Sequence, residues 1–217
     1  MPGKNVKPLG GIPLLAWTAR AIRASGVSAR AVLTTDDPAI ADLGRAEGLE
    51  APFLRPPELA ADRTDMLAVV EHAVGWLERV EGYRPDAIML LQPPCPFRRP
   101  ERLAEALALL ARPGTEGVIG VRRIDRAPSL LYQEDADGFL RPLAPWEAAS
   151  LRQEIRPTLM SNGTLYLVTR ESLALHHRLF PPRLRALPTT EIEGIDIDTP
   201  EDWALAEAVV AAGLVRA

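Results

Sequence analysis

Ala87-Ile88-Met89-Leu90-Leu91 is a near-continuous apolar run that stops abruptly at Gln92-Pro93-Pro94-Cys95-Pro96-Phe97-Arg98. A strand without polar alternation has no face to give to water, so it belongs in a sheet covered on both sides, as parallel α/β sheets are. The surrounding segments agree. Ile12 to Ser25 has helical apolar spacing and is closed by Gly26, and Ala31-Val32-Leu33-Thr34-Thr35 reads as a short buried strand. Asp36-Asp37-Pro38 reads as a turn and the cap of a helix reaching about Glu47. Pro52 to Arg63 is proline-rich and irregular, after which Thr64 to Val80 and Glu101 to Ala111 read as helices and Gly117 to Arg122 as a strand. Leu130 to Leu140 alternates around Asp137-Gly138, the pattern of a hairpin. Gly163 to Val168 returns to strand, Ile195 to Asp198 forms a strand end, and Thr199 caps a helix from Pro200 to about Ala212. We therefore expect a single α/β domain over 1–217, three-layered and Rossmann-like, around a mostly parallel sheet. Its ligand loop should follow Leu91, because open α/β sheets bind at the carboxyl ends of their strands.

Composition removes several classes. A net charge of −4 gives no broad attraction to nucleic acid or anionic lipid. No apolar run approaches the roughly 20 residues of a membrane helix, and the start lacks a signal-peptide core, so we expect a cytoplasmic protein with no membrane partner. The single cysteine, Cys95, excludes an internal disulfide and reads as a small buried residue. His72, His176 and His177 have no zinc-site spacing and read as structural.

Lysine occurs twice against 23 arginines, and both copies lie in Gly3-Lys4-Asn5-Val6-Lys7-Pro8-Leu9-Gly10-Gly11. Asparagine is as scarce, with Asn5 in that segment and Asn162 in Ser161-Asn162-Gly163. A compact ammonium beside glycines that lead into a helix suits phosphate. Asp196-Ile197-Asp198 places two carboxylates on one face of an extended segment, about 6.5 Å apart. That geometry serves a magnesium ion or a helix cap. Gln92 can present both a donor and an acceptor at the end of the apolar strand. Arg55, in Phe53-Leu54-Arg55-Pro56-Pro57-Glu58, suits phosphate or an ion pair with Glu58, and Arg152-Gln153-Glu154 reads as a solvated helix end.

Together these segments resemble the acylneuraminate cytidylyltransferases, or CMP-sialic acid synthetases, along nearly the whole chain. The resemblance rests on Pro2 to Leu14, Thr34-Thr35-Asp36-Asp37, Phe53 to Ala60, Leu90-Leu91-Gln92-Pro93, Asn162-Gly163 and Ile195 to Asp202, in the family's order. It implies a nucleotide-diphospho-sugar transferase fold, a homodimer with an interlocking subdomain at about 123–160, and a Mg2+-dependent reaction. In that reaction a nine-carbon 2-keto sugar acid attacks the α-phosphate of CTP and releases pyrophosphate. By position, Lys4 and Asn5 would touch the nucleotide, with Lys4 also catalytic, and Arg55 would contact its phosphates or base. Gln92, Arg152 and Gln153 would approach the sugar; Asp196 and Asp198 would bind magnesium and be catalytic. Pro94-Cys95 stands where the family usually has Thr-Ser, and Asp65-Met66 where it has small hydroxyl residues, so the sugar is expected to be N-acetylneuraminate, legionaminate, pseudaminate or another keto-sugar acid. The family's first strand and its Arg-x-Gly-Ser-Lys-Gly loop would lie before Met1. A start codon upstream of Met1 is one expectation; a non-catalytic nucleotide- or sugar-binding homologue is the other.

Overall fold

The computed structural model describes residues 1, 3–61, 64–124, 128–144 and 158–217. A single 3-10 turn over Lys4–Val6 leads into a hairpin of two short strands, β1 (Pro8–Leu9) and β2 (Ile12–Pro13). Gly10 and Gly11 join them at φ 57° and 80°. Positive φ at both positions is what a type I′ hairpin turn demands. These glycines, read from sequence as part of a phosphate loop, therefore close a hairpin, and the amide of Leu14 that opens α1 (Leu14–Ala24) donates to the carbonyl of Lys7 at 3.1 Å.

Asp37 caps α2 (Pro38–Ala46) by accepting from the amide of Ala39, and Asp65 caps α3 (Met66–Glu81) by accepting from the amide of Leu67. Between α1 and α2, Ala31 to Thr35 is not the expected buried strand. It makes one parallel bridge, Val32 to Glu50, and of its five residues only Thr35 is buried. Five residues with one short neighbour lack the ladder that would bury them.

The remaining strands and α-helices are β3 (Ala87–Leu90), α4 (Glu101–Leu110), β4 (Gly117–Ile124), β5 (Tyr132–Glu134), β6 (Leu140–Pro142), β7 (Thr158–Thr169), α5 (Arg170–His176), β8 (Leu184–Pro188) and α6 (Pro200–Ala211). The main sheet has the order β3-β7-β4-β8. Because β7 is antiparallel to both neighbours and β4 is parallel to β8, three of the four strands run the same way. Both faces are covered, as the apolar run of β3 requires. Ala87 and Met89 pack with Leu165, Leu167 and Ala106 of α4, whereas Ile88 and Leu90 pack with Val70 of α3, Val168 and Leu173 of α5. A third cluster joins Leu9, Trp17, Phe97, Ile197 and Trp203, so it ties the N-terminal hairpin to α6. Burial of these side chains, at about 25 cal/mol per Å² of apolar surface, holds the layers together.

The hairpin β5–β6 turns around Asp137-Gly138 as expected and falls within the anticipated 123–160 subdomain. Ile195 to Asp198, expected to end a strand, is instead irregular and follows a turn. No helix among the described residues is long and apolar enough to cross a membrane.

Candidate active site

A register break in the sheet builds the floor of the site. Ile119 pairs with Tyr166 and Val121 with Ser161, so β4 advances two residues while β7 recedes five. The extra residues of β7 include Asn162, Gly163 and Thr164, and their backbone groups must find partners outside the ladder. Asn162 Oδ1 accepts from the amide of Thr164, and its Nδ2 donates to Thr189 Oγ1 at 2.8 Å. The carbonyl of Thr164 accepts from Arg98 Nε.

Arg98 is 3% exposed and fixes the loop that follows β3. Besides Thr164 it donates through Nη1 to Thr18 Oγ1 at 3.2 Å and through Nη2 to the carbonyl of Gln92 at 3.3 Å. Burial brings its pKa down to about 10, and it still carries its charge at neutral pH. Gln92 therefore has a rigid backbone on which to present its amide. Cys95, in the same loop, is fully buried, and desolvation with Asp196 nearby pushes its thiol up to about 12. It is a protonated packing residue, as its sequence context indicated.

The Asp196-Ile197-Asp198 segment lies against this loop, with the amide of Ile197 donating to the carbonyl of Pro94 at 2.9 Å. Ile197 is fully buried while both aspartates keep exposed surface. Gly163 makes this approach possible: a Cβ there would sit 2.5 Å from Cys95 Sγ and 3.1 Å from Asp196 Oδ2. Desolvation of its carboxylate, and then the charge of Asp198, hold Asp196 above the usual carboxylate range; Lys4 offsets part of this. The capping alternative for these aspartates does not hold. Thr199 caps α6 and Asp202 completes the capping box, accepting from the amides of Asp198 and Thr199.

The preceding turn is held by Glu193, 2% exposed, which accepts from Arg102 Nε and Nη2 at 2.7 and 3.0 Å and from the amide of Thr190 at 2.8 Å. Burial opposes its charge, yet Arg102 and Thr190 together hold it below the usual carboxylate range. Lys4 then crosses from the N-terminal turn. Its Nζ donates to the carbonyl of Ile197 and to Asp198 Oδ1, both at 2.8 Å.

Lys4, the Asp196-Ile197-Asp198 segment and the Gln92 loop are thus brought together from three separate parts of the chain. Asn5 lies in the same turn as Lys4, and its Oδ1 is buried without a hydrogen-bond partner. Arg55 pairs with Asp36 at 3.4 Å rather than with Glu58, because the loop folds back on Thr35 through the Arg55 amide. It lines an open cleft of about 550 Å³ with Asp36, Leu54, Pro56, Pro57 and Ala60. Its Nε and the Oγ1 of Thr34 are also buried and unpartnered. Polar atoms left so are donors and acceptors open to water or a ligand. Arg152 and Gln153 lie outside the described residues. Sequence reasoning missed Arg98, Arg102 and Glu193; Arg98, at the end of the apolar strand and its proline-rich loop, carried the one available signal.

Residues 1–112 match the cytidylyltransferase family. The chain is 31% identical over 211 residues to CMP-N,N'-diacetyllegionaminic acid synthase of Legionella pneumophila, spanning 97% of this chain and 90% of that protein. A 3-deoxy-manno-octulosonate cytidylyltransferase of Anaeromyxobacter dehalogenans is 32% identical over a 243-residue alignment spanning 98% and 93% of the two chains. Identity to an N-acylneuraminate cytidylyltransferase of Streptococcus agalactiae serotype V is 22% over 205 residues; these are 94% of this chain but 48%, about half, of that relative. Among solved structures, a CMP:2-keto-3-deoxy-manno-octonic acid synthetase complexed with CTP shares the fold, with a TM-score of 0.69 and 19% identity across 98% of this chain and 93% of that one. With a family match over more than half its residues and a relative of this identity along nearly its whole length, the chain belongs to the cytidylyltransferases, in the CMP-sialic acid synthetase family.

Proposed function

We propose that this protein joins the cytidylyl group of CTP to a nine-carbon 2-keto sugar acid of the sialic acid type, releasing pyrophosphate. The observation that carries the reading is the convergence of Lys4, Asp196 and Asp198 on the loop after β3, in a chain 31% identical to a CMP-diacetyllegionaminic acid synthase. The sugar's anomeric hydroxyl attacks the α-phosphorus, a C–O–P bond forms, the bond to the β-phosphate oxygen breaks, and the hydroxyl proton leaves to solvent. Such a transfer needs positioning and charge neutralisation and no covalent enzyme intermediate. Lys4 supplies a cation on a flexible stem, Gln92 an amide carried on a fixed backbone for the sugar, and Arg55 with Asn5 the unpartnered polar atoms for the nucleotide. Arg152 and Gln153 are assigned to the sugar from sequence alone.

Asp196 and Asp198 fit magnesium. They are two neighbouring carboxylates, of which Asp198 is paired with Lys4, while burial and then the charge of Asp198 hold the pKa of Asp196 up. Magnesium needs no more than one or two carboxylates, because it completes its shell with water and phosphate. Bound there, magnesium would neutralise triphosphate charge.

We also assign a homodimer and a cytoplasmic location. The β5–β6 hairpin exposes Phe139, Leu140 and Leu143 by 60% or more, and Leu159 and Met160 of β7 are exposed as well, an apolar surface that a second copy can cover. Sedimentation at micromolar concentration should give twice the 23.7 kDa chain mass, and a monomer that Phe139→Ser leaves unchanged contradicts the assignment.

The 32% identity to the octulosonate enzyme supports a second reading, an eight-carbon 3-deoxy acid as acceptor. Pyrophosphate release with CTP, magnesium and a panel of both acids separates the two. The first reading expects kcat/KM to favour a nine-carbon acid; preference for the eight-carbon acid selects the second, and release with neither overturns both.

A further inference from the structure

The proposed chemistry uses Lys4 and leaves the second lysine, Lys7, without a part. Lys7 Nζ lies 4.0 Å from the ring centroid of Trp203 in α6, and among the described residues no carboxylate pairs with it. Trp203 is 7% exposed and anchored in the cluster that holds Leu9, Trp17 and Ile197, so the ring is a fixed platform. The backbone of Lys7 closes the turn that carries Lys4, its amide donating to the Lys4 carbonyl at 3.2 Å and its carbonyl accepting from Leu14.

Apart from the two bonds of Lys4 Nζ and the buried Leu9 of the hairpin that follows, the turn has few anchors. It spans three residues, has no side-chain cap at Gly3 and buries none of Lys4, Asn5 or Val6. A 3-10 turn of that length is not stable alone. The turn and the hairpin after it meet one stripe of α6: Lys7 on Trp203, the Gly10 amide to Glu207 Oε2 at 3.4 Å, and Gly10 packed beside Val210. Residues four and three apart share a helix face.

We propose that Lys7 is a positioning residue whose ammonium, seated on the Trp203 ring, clamps the N-terminal turn to α6 and thereby holds Lys4 at the Ile197 carbonyl and Asp198. This deepens the reading above, since it gives Lys4 its placement.

The test uses the full chain and its Lys7→Gln and Lys7→Arg variants; Lys7 is exposed, so the core is untouched. With only two lysines, reductive methylation of Lys4 can be followed residue by residue by mass spectrometry. Lys7→Gln should speed methylation of Lys4 and lower kcat/KM for CTP, each roughly two- to tenfold, which is the worth of one cation–π contact. The KM for the sugar acid should stay put, and the melting temperature should fall by no more than about 1–5 °C. Lys7→Arg, which also stacks on an aromatic face, should restore both quantities. Lys4 methylation at the parent rate in Lys7→Gln overturns the clamp even if activity falls, because Lys7 then acts on substrate directly. A Lys7→Arg variant as impaired as Lys7→Gln overturns it too. If the parent transfers no cytidylyl group, the functional reading fails, while the methylation rates still decide the clamp.

Discussion

Removing the charge of Glu193 tests whether the turn leading to the aspartates is built on a buried ion pair. Glu193 is 2% exposed and Arg102 14% exposed by side chain, and the two meet through a paired contact at 2.7 and 3.0 Å. Breaking such a pair from one side costs about 3–5 kcal/mol, because the surviving charge stays buried. Glu193→Gln keeps a carbonyl for one of its donors, and Arg102 keeps Glu105 at 2.7 Å, which places the cost near the lower end, about 3 kcal/mol. For a chain of this length that corresponds to a fall of roughly 6–12 °C in melting temperature. The pH dependence has a definite sign. The folded-state pKa of Glu193 lies below its ordinary value, so its contribution is complete above the unfolded pKa and disappears as pH falls through the folded one. Melting curves of parent and variant should therefore differ fully at neutral pH and converge below about pH 4. A difference under about 2 °C at neutral pH refutes the reasoning, as does a gap that stays constant into acid. Adding Arg102→Met to Glu193→Gln should recover part of the loss, since it removes the stranded cation.

Two further outcomes follow from the site. Lys4→Arg replaces a point charge held by two acceptors at 2.8 Å with a planar fork, and should lower kcat/KM for CTP by about 100-fold with little change in melting temperature; activity near the parent's would deny Lys4 its role. Gly163→Ala puts a methyl 2.5 Å from Cys95 Sγ, so it should cost about 1–3 kcal/mol and raise the magnesium needed for half-maximal rate, an effect absent if the Asp196 approach is unimportant.

What could be read from sequence was whatever depends on neighbours. The apolar run of β3 announced cover on both faces, and the structure divides its residues between two clusters. Asp37 and Thr199 announced helix starts because a cap acts within three residues. Lys4, Asp196 and Asp198 were legible through scarcity and resemblance, and the fold brings them together across 194 positions. The antiparallel sense of β7 and its register break could not be read, since register is set between strands. Arg98 and Glu193 were hidden for a similar reason: their partners Thr164 and Arg102 lie 66 and 91 residues away. Leu184 to Pro188 ends in proline, and α5 has seven residues, too few to display a helical period. The Gly10-Gly11 pair misled because one glycine signal serves phosphate loops and tight hairpins alike, and only the pairing of Leu9 with Ile12 distinguishes them.

The most direct test of the account is the magnesium dependence of pyrophosphate release from CTP and a nine-carbon keto-sugar acid, measured on the parent and on Asp196→Asn. The account predicts release that requires magnesium in the parent and falls by about 100-fold or more in the variant, with an unchanged melting temperature. Release at the parent's rate by folded Asp196→Asn would contradict it.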